Sequence, residues 1–169
     1  MLRLMKSDTL KVLVLCTGNS CRSIMAEALI NELGRGRYQA WSAGSVPAGY
    51  VHPKSIETLT RHGINPGQPR SKSWNEFAEQ SFDLVITVCD QAAGETCPLL
   101  SGTPTKLHWS TPDPAKVIGS DANIDAAFDT VLFMLKSRIE EMLSTQDYWK
   151  APAKGETQMG TSDPCSASA

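Results

Sequence analysis

The sequence predicts an α/β fold: a single-domain, doubly wound sandwich whose central four-stranded parallel sheet is flanked by helices. Three observations carry this. Short apolar runs alternate with segments of helical periodicity, the runs KVLVL (11–15) and LVITV (84–88) are apolar almost throughout, and 169 residues suffice for one full core. Alternation implies parallel strands joined by crossover helices, and a strand buried on both faces needs a nearly unbroken apolar run.

Lys11–Leu15 is rich in valine and leucine and bounded by polar residues, which makes it the first strand. After a turn at Gly18–Ser20, Met25, Leu29 and Leu33, with Ile30 beside them, recur at helical spacing from about Ser23, and Gly34 ends that helix. Tyr38–Ala43 reads as the second strand, closed by Gly44. Pro53 belongs in a first helical turn, Ile56 and Leu59 supply the inner face, and Gly63 stops the helix. The connection NPGQPRSKS leads to a short helix expected around Trp74–Glu79. Leu84–Val88 is the third and clearest strand, and Lys106–Trp109 a weaker fourth. Ile124, Phe128, Val131, Leu132, Leu135, Ile139 and Met142 mark a long amphipathic helix. From about Ala151 the composition turns to Ala, Gly, Ser, Thr and Pro without periodicity, as in a disordered tail. The expected organisation is an N-terminal extension over 1–9, the domain over 10–146 and a flexible tail over 147–169, where Cys165 is an uninvolved thiol.

Charge and composition narrow the function. Sixteen basic and eighteen acidic side chains leave a formal charge of −2, without the basic stripe of a nucleic-acid binder. No run approaches the roughly 20 apolar residues of a membrane span. The start MLRLMKSDTL lacks a signal peptide's apolar segment and cleavage site, so a cytoplasmic protein is expected. The five cysteines, 16, 21, 89, 97 and 165, are an odd number. In a reducing compartment such thiols point to catalysis or redox work more than to structural bridges. Zinc is not expected, because the cysteine pairs lack the tight spacing of zinc ribbons and His52, His62 and His108 are scattered.

The stretch VLCTGNSCRS (14–23) concentrates the chemistry. A strand ends on Cys16, small polar residues follow, and Arg22 stands at the start of a helix. Helix N-termini bind oxyanions, Gly18 and Asn19 tolerate left-handed backbone, and a guanidinium can grip a tetrahedral anion with two bonds. The same field is expected to lower the pKa of Cys16 and make it a nucleophile, with Ser23 donating to the thiolate. Cys21 is expected to pack beneath the loop. Cys-x5-Arg alone occurs by chance; its place between strand and helix gives it weight. Ligands of open α/β sheets bind at the carboxyl ends of the strands, and Cys89, ending LVITV, should share that rim with Cys16.

CTGNSCRS followed by Met25-Ala26-Glu27 resembles the low-molecular-weight protein tyrosine phosphatase superfamily, in particular its arsenate reductase branch, over residues 10–145. The resemblance implies Cys16 as nucleophile and Arg22 as anion clamp. Asp113, in Asp113-Pro114, becomes the general acid, and Thr17, Gly18, Asn19, Ser20, Cys21, Arg22 and Ser23 form the substrate loop. Phosphatases of the superfamily usually carry proline after the loop serine and tyrosine after Asp-Pro, where this chain has Ile24 and Ala115. Reduction of arsenate takes two electrons, hence two thiols that end as a disulfide. The branch implies Cys89 as the resolving thiol and Cys97 as the shuttle, with Cys16–Cys89 and then Cys89–Cys97 disulfides. If Asp90–Thr96 is helical, Cys89 and Cys97 start about 12 Å apart and the segment must open before they pair.

The branch further implies arsenate as substrate, no bound cofactor and a monomer. The external thiol reductant would be thioredoxin, or glutathione with glutaredoxin. The Cys89–Cys97 spacing is one residue longer than expected for thioredoxin-coupled members. Some relatives hold potassium near positions like Asn19, Glu27 and Ser42, but RSKSW offers no acid to complete such a site, so no metal is expected. Phosphotyrosine hydrolysis is the alternative activity, and a non-enzymatic thiol protein the third reading.

Overall fold

The computed structural model describes residues 9–94 and 103–145. The strands are β1 (Leu10–Cys16), β2 (Tyr38–Gly44), β3 (Leu84–Thr87) and β4 (Thr105–His108), with helices α1 (Arg22–Leu33), α2 (Pro53–Arg61), α3 (Asp90–Ala93) and α4 (Asp121–Ser144). All neighbouring strands pair parallel in the order β2-β1-β3-β4. The chain leaves β1 for one side of the sheet and returns to the other side with β3. The segments after β1 and β3 therefore diverge and open a crevice at the carboxyl ends of these two strands.

Val12–Leu15 and Leu84–Ile86 are fully buried, as central strands covered on both faces must be. One face carries the larger cluster, in which Val12, Val14, Leu84 and Ile86 meet Met25 and Leu29 of α1, Leu59 of α2 and Phe128, Leu132 and Leu135 of α4. On the opposite face Leu13, Leu15, Ala43 and Val85 pack under Phe77 and Phe82, flanked by Trp41 and Trp74. Phe82 meets both Trp41 and Phe77 edge-on, with ring centroids 5.7 and 5.8 Å apart.

Several elements differ in detail from expectation. α1 begins one residue early, and burial extends to Ser23, Ile24, Ala26 and Ala28, because both the sheet and α4 cover it. Ile56 does not face inward: it is 37% exposed, while Ser55, Thr58 and Leu59 form the buried stripe of α2. Hydrogen bonds from Ser55 Oγ to Ser20 O (3.0 Å) and from Thr58 Oγ1 to Lys54 O (2.6 Å) allow two polar residues to take the inner face. The segment expected to be helical around Trp74–Glu79 is a single 3₁₀ turn, Trp74–Phe77, closed when Ala78 N–H bonds to Asn75 O. β4 stops at His108, although Trp109 N–H still donates to Thr87 O at 2.8 Å. α4 follows its apolar pattern: Phe128, Val131, Leu132, Leu135, Ile139 and Met142 are all buried, and Ser120 caps its start. α3 is helical over Asp90–Ala93, and residues 95 and 96 of the segment considered as a helix lie outside the described residues. Cys97, Cys165, residues 1–8 of the expected extension 1–9 and the expected tail 147–169 lie outside the described residues. Among the described residues no helix is long and apolar enough to cross a membrane.

Candidate active site

The site begins where β1 runs out. Cys16, its last residue, is paired in register with Gly44 at the end of β2. A Cβ on Gly44 would stand 2.4 Å from Thr17 O and 3.1 Å from Asn19 N, so only glycine lets β2 end against the loop. Asn19 takes the left-handed conformation that turns the chain (φ 46°). No side chain caps α1 at Cys21, which leaves its first-turn N–H groups facing the loop as anion donors.

Hydrogen-bond direction beneath the loop follows from counting protons. Asn19, fully buried, spends one amide hydrogen on Ser23 Oγ (2.8 Å) and the other on Ser42 Oγ (3.0 Å), while its Oδ1 accepts from Lys72 N–H (2.9 Å). Both serine hydroxyls are thus acceptors from Asn19 and send their own protons onward. Ser42 donates to the Glu27 carboxylate, and Ser23 Oγ lies 2.9 Å from Cys16 Sγ, to which it donates once that sulfur is a thiolate. Asn19 N–H also donates to that sulfur, at 3.2 Å. Two donors therefore converge on one thiol.

The expectation of a lowered Cys16 pKa needs correction. Burial pushes the Cys16 thiol up from its ordinary value, and Ser23, Asn19 and the backbone offset only part of that. The nearby Cys89 adds to the rise. Cys21 is likewise buried and pushed up to about 11 by burial, in keeping with a packing role.

Arg22, at the start of α1, donates to Thr111 O (3.0 Å) and lies 3.5 Å from Asp113 Oδ2. Asp113 Oδ1 accepts the Ala115 N–H (3.0 Å) and so caps the 3₁₀ turn Pro114–Lys116. Arginine and aspartate lie on the wall of one cavity, formed by Cys16, residues 18–22, Ala48, Tyr50, His52 and Ala115. Thr17 and Ser23 stand behind it: Ser23 is buried, and Thr17 Oγ1 reaches Cys89 Sγ at 3.5 Å. Cys89 is buried, caps α3, and its sulfur accepts from Ala92 N–H (3.3 Å). The fold thus gathers Cys16, Arg22, Asp113 and Cys89 at one rim, from sequence positions nearly a hundred residues apart. Tyr50, His52, Thr111 and Lys72 escaped sequence reading. Of these only the His52-Pro53 pair carried a signal, as the start of α2, where His52 Nδ1 accepts from Lys54 N–H.

The residues around Asn19 do not fit a potassium ion. Asn19, Ser42 and Glu27 are bonded to one another, and the buried Lys72 supplies the neighbouring positive charge. Burial pushes Lys72 below the ordinary lysine value while Glu27 pulls it back. Among the described residues no group of three or more His, Cys, Asp or Glu could hold a metal ion.

The model of the low molecular weight phosphotyrosine protein phosphatase family matches residues 11–151. An arsenate reductase of Halalkalibacterium halodurans is 34% identical over 131 residues, covering 78% of this chain and 93% of that protein. An arsenate reductase of Bacillus subtilis is 31% identical, with the same coverage of 78% and 93%. Among solved structures, an arsenate reductase in the phosphate binding state superposes with a TM-score of 0.65 at 28% identity, over 81% of this chain and 98% of that one. A low molecular weight protein tyrosine phosphatase from T. tengcongensis shares the fold, with a TM-score of 0.63 at 22% identity over 81% of this chain and 99% of that one.

Proposed function

We propose, from the premise that the chain belongs to the low molecular weight phosphotyrosine protein phosphatase family, that this protein reduces arsenate to arsenite by a thiol cascade in a reducing, cytoplasmic setting. One observation carries the choice of reductase over hydrolase: a second buried thiol, Cys89, reaches the nucleophile's loop through Thr17 at 3.5 Å. Hydrolysis needs no such group, and two-electron reduction does.

In this reading arsenate lies on the loop N–H groups and Arg22, and the Cys16 thiolate, held by Ser23 and Asn19, attacks arsenic. Asp113 gives a proton to the departing oxygen, so water leaves and a Cys16 sulfur–arsenic(V) bond remains. Cys89 sulfur then attacks Cys16 sulfur. The sulfur–arsenic bond breaks with its electron pair on arsenic, which leaves as arsenite, arsenic(III), and a Cys16–Cys89 disulfide forms. Cys97, outside the described residues, takes the next exchange and leaves Cys89–Cys97 for an external thiol reductant. The reductant class is thioredoxin or glutathione with glutaredoxin. Hydrolysis of phosphotyrosine is the competing reading, and Tyr50 favours it: an exposed aromatic ring beside the cavity suits an aryl phosphate.

The test follows arsenate-dependent NADPH consumption with each reductant system, beside hydrolysis of an aryl phosphate by the same preparation. Turnover with arsenate, together with a Cys16–Cys89 disulfide trapped by acid quench, is expected. Rapid aryl phosphate hydrolysis without any arsenate-dependent disulfide would overturn the assignment.

A further inference from the structure

Next to Cys89 stands a carboxylate that no step above uses. Asp90 is the first residue of α3, and its Oδ1 lies 2.8 Å from Nε2 of His108, the last residue of β4. The other ring nitrogen, Nδ1, lies 2.7 Å from Oγ1 of Thr87, the fully buried end of β3 and the register partner of His108. One imidazole thus bridges the rigid end of the sheet and the first turn of the helix that Cys89 caps. Ser110 bonds to the same carboxylate, and these partners hold Asp90 below the ordinary aspartate value, with Arg22 nearby adding to the effect. Among the described residues α3 has little else to fix it. Four residues cannot sustain a helix alone, and Ala92 is its one residue in the buried core among those described.

We propose that His108 is a positioning residue for Cys89, gripping Asp90 so that the resolving sulfur is aimed across Thr17 toward Cys16. This rests on the reading of Cys89 as the second thiol. Attack of sulfur on sulfur requires in-line approach, and a misplacement near 1 Å costs about 100-fold in rate. The Asp90 side chain is 77% exposed, so its grip adds little to global stability, as is usual for surface pairs. Its effect should fall on the second chemical step, leaving anion binding at Cys16 and Arg22 alone.

The experiment uses the full chain and the variants His108→Ala, His108→Gln, Asp90→Ala and the His108→Ala/Asp90→Ala double. Gln keeps a donor near the Nε2 position and serves as the conservative rescue. Single-turnover formation of the Cys16–Cys89 disulfide after arsenate mixing should slow roughly 10–100-fold in each alanine variant and recover in His108→Gln. The double variant should be no slower than either single, because both remove one grip. Phosphate affinity by calorimetry and kcat/KM for arsenate, which report binding and adduct formation, should stay unchanged while kcat falls. A second arm needs no arsenate: iodoacetamide labelling of Cys89 in the reduced protein should change in rate in both alanine variants and return with glutamine. Wild-type disulfide rates in His108→Ala, or additive losses in the double, would overturn the positioning role. If the unmodified protein forms no Cys16–Cys89 disulfide, the reductase reading fails, and the labelling arm still decides whether the pair orients Cys89. Should His108→Ala fail to fold, Asp90→Ala and His108→Gln carry the same comparison.

Discussion

Replacing Ser23 by alanine removes one hydroxyl from beneath the loop and tests the proton count that orients the network. Ser23 Oγ accepts from Asn19 Nδ2 at 2.8 Å, which leaves its own proton for Cys16 Sγ at 2.9 Å once that sulfur is a thiolate. A hydrogen bond to a charged group is worth about 1.5–3 kcal/mol, and each 1.4 kcal/mol is about tenfold in an equilibrium. Burial already pushes the Cys16 thiol up, and Ser23 is the largest opposing influence, so its loss moves the thiol further up. The thiolate population at neutral pH, and with it the rate of iodoacetamide alkylation, should fall roughly 10–100-fold. Peptide mass spectrometry after timed quenching separates Cys16 from Cys89 and Cys21, and a pH series locates the midpoint, which should move to higher pH. The substitution also leaves one Asn19 N–H unpaired in a fully buried position, so unfolding free energy should drop by about 1–3 kcal/mol. An unchanged Cys16 alkylation rate and midpoint would refute the argument, for it would mean that the Ser23 proton points elsewhere.

Gly44→Ala should displace the loop, since the new methyl would meet Thr17 O at 2.4 Å, and calorimetry should show phosphate binding lost with stability reduced by about 1–3 kcal/mol. Asp113→Asn should slow formation of the Cys16–arsenic adduct about 10²–10⁴-fold in rapid-quench experiments while phosphate still binds. Burial raises the Glu27 carboxyl above its ordinary 4.5, with Ser42 and Lys72 offsetting part. Its protonated form is thus favoured by folding, and stability falls as pH rises from 4.5 through the raised value; denaturant titrations of Glu27→Gln should show that segment of the slope flattened. Phe128→Ala should cost about 3–5 kcal/mol, since the ring is fully buried where α4 crosses the core and stacks at 5.1 Å on His52.

What could be read along the chain is whatever depends on near neighbours. Apolar runs marked the central strands, the spacing of Phe128, Leu132, Leu135 and Ile139 marked α4, and Cys16 through Arg22 marked the loop between β1 and α1, because strand, turn and helix start are contiguous there. Composition argued equally well for a parallel sheet. Hydropathy failed on α2, where Ser55 and Thr58 take the inner face in place of Ile56; a polar side chain can be buried once a carbonyl waits for it, and Ser20 O is 35 positions away.

Other features exist only once the sheet is assembled in the order β2-β1-β3-β4. That order puts Cys89 beside Thr17, bridges Thr87 and Asp90 through the His108 ring, and closes Arg22 against Thr111 and Asp113. The state of Cys16 is likewise a tertiary property. The loop motif suggested a thiol lowered by its donors, yet the packed core over it makes desolvation the larger effect. Local sequence supplies the groups and the turns that present them. Which groups meet, and how much water they lose in meeting, follows from contacts between residues far apart in the chain, and no short-range pattern encodes those.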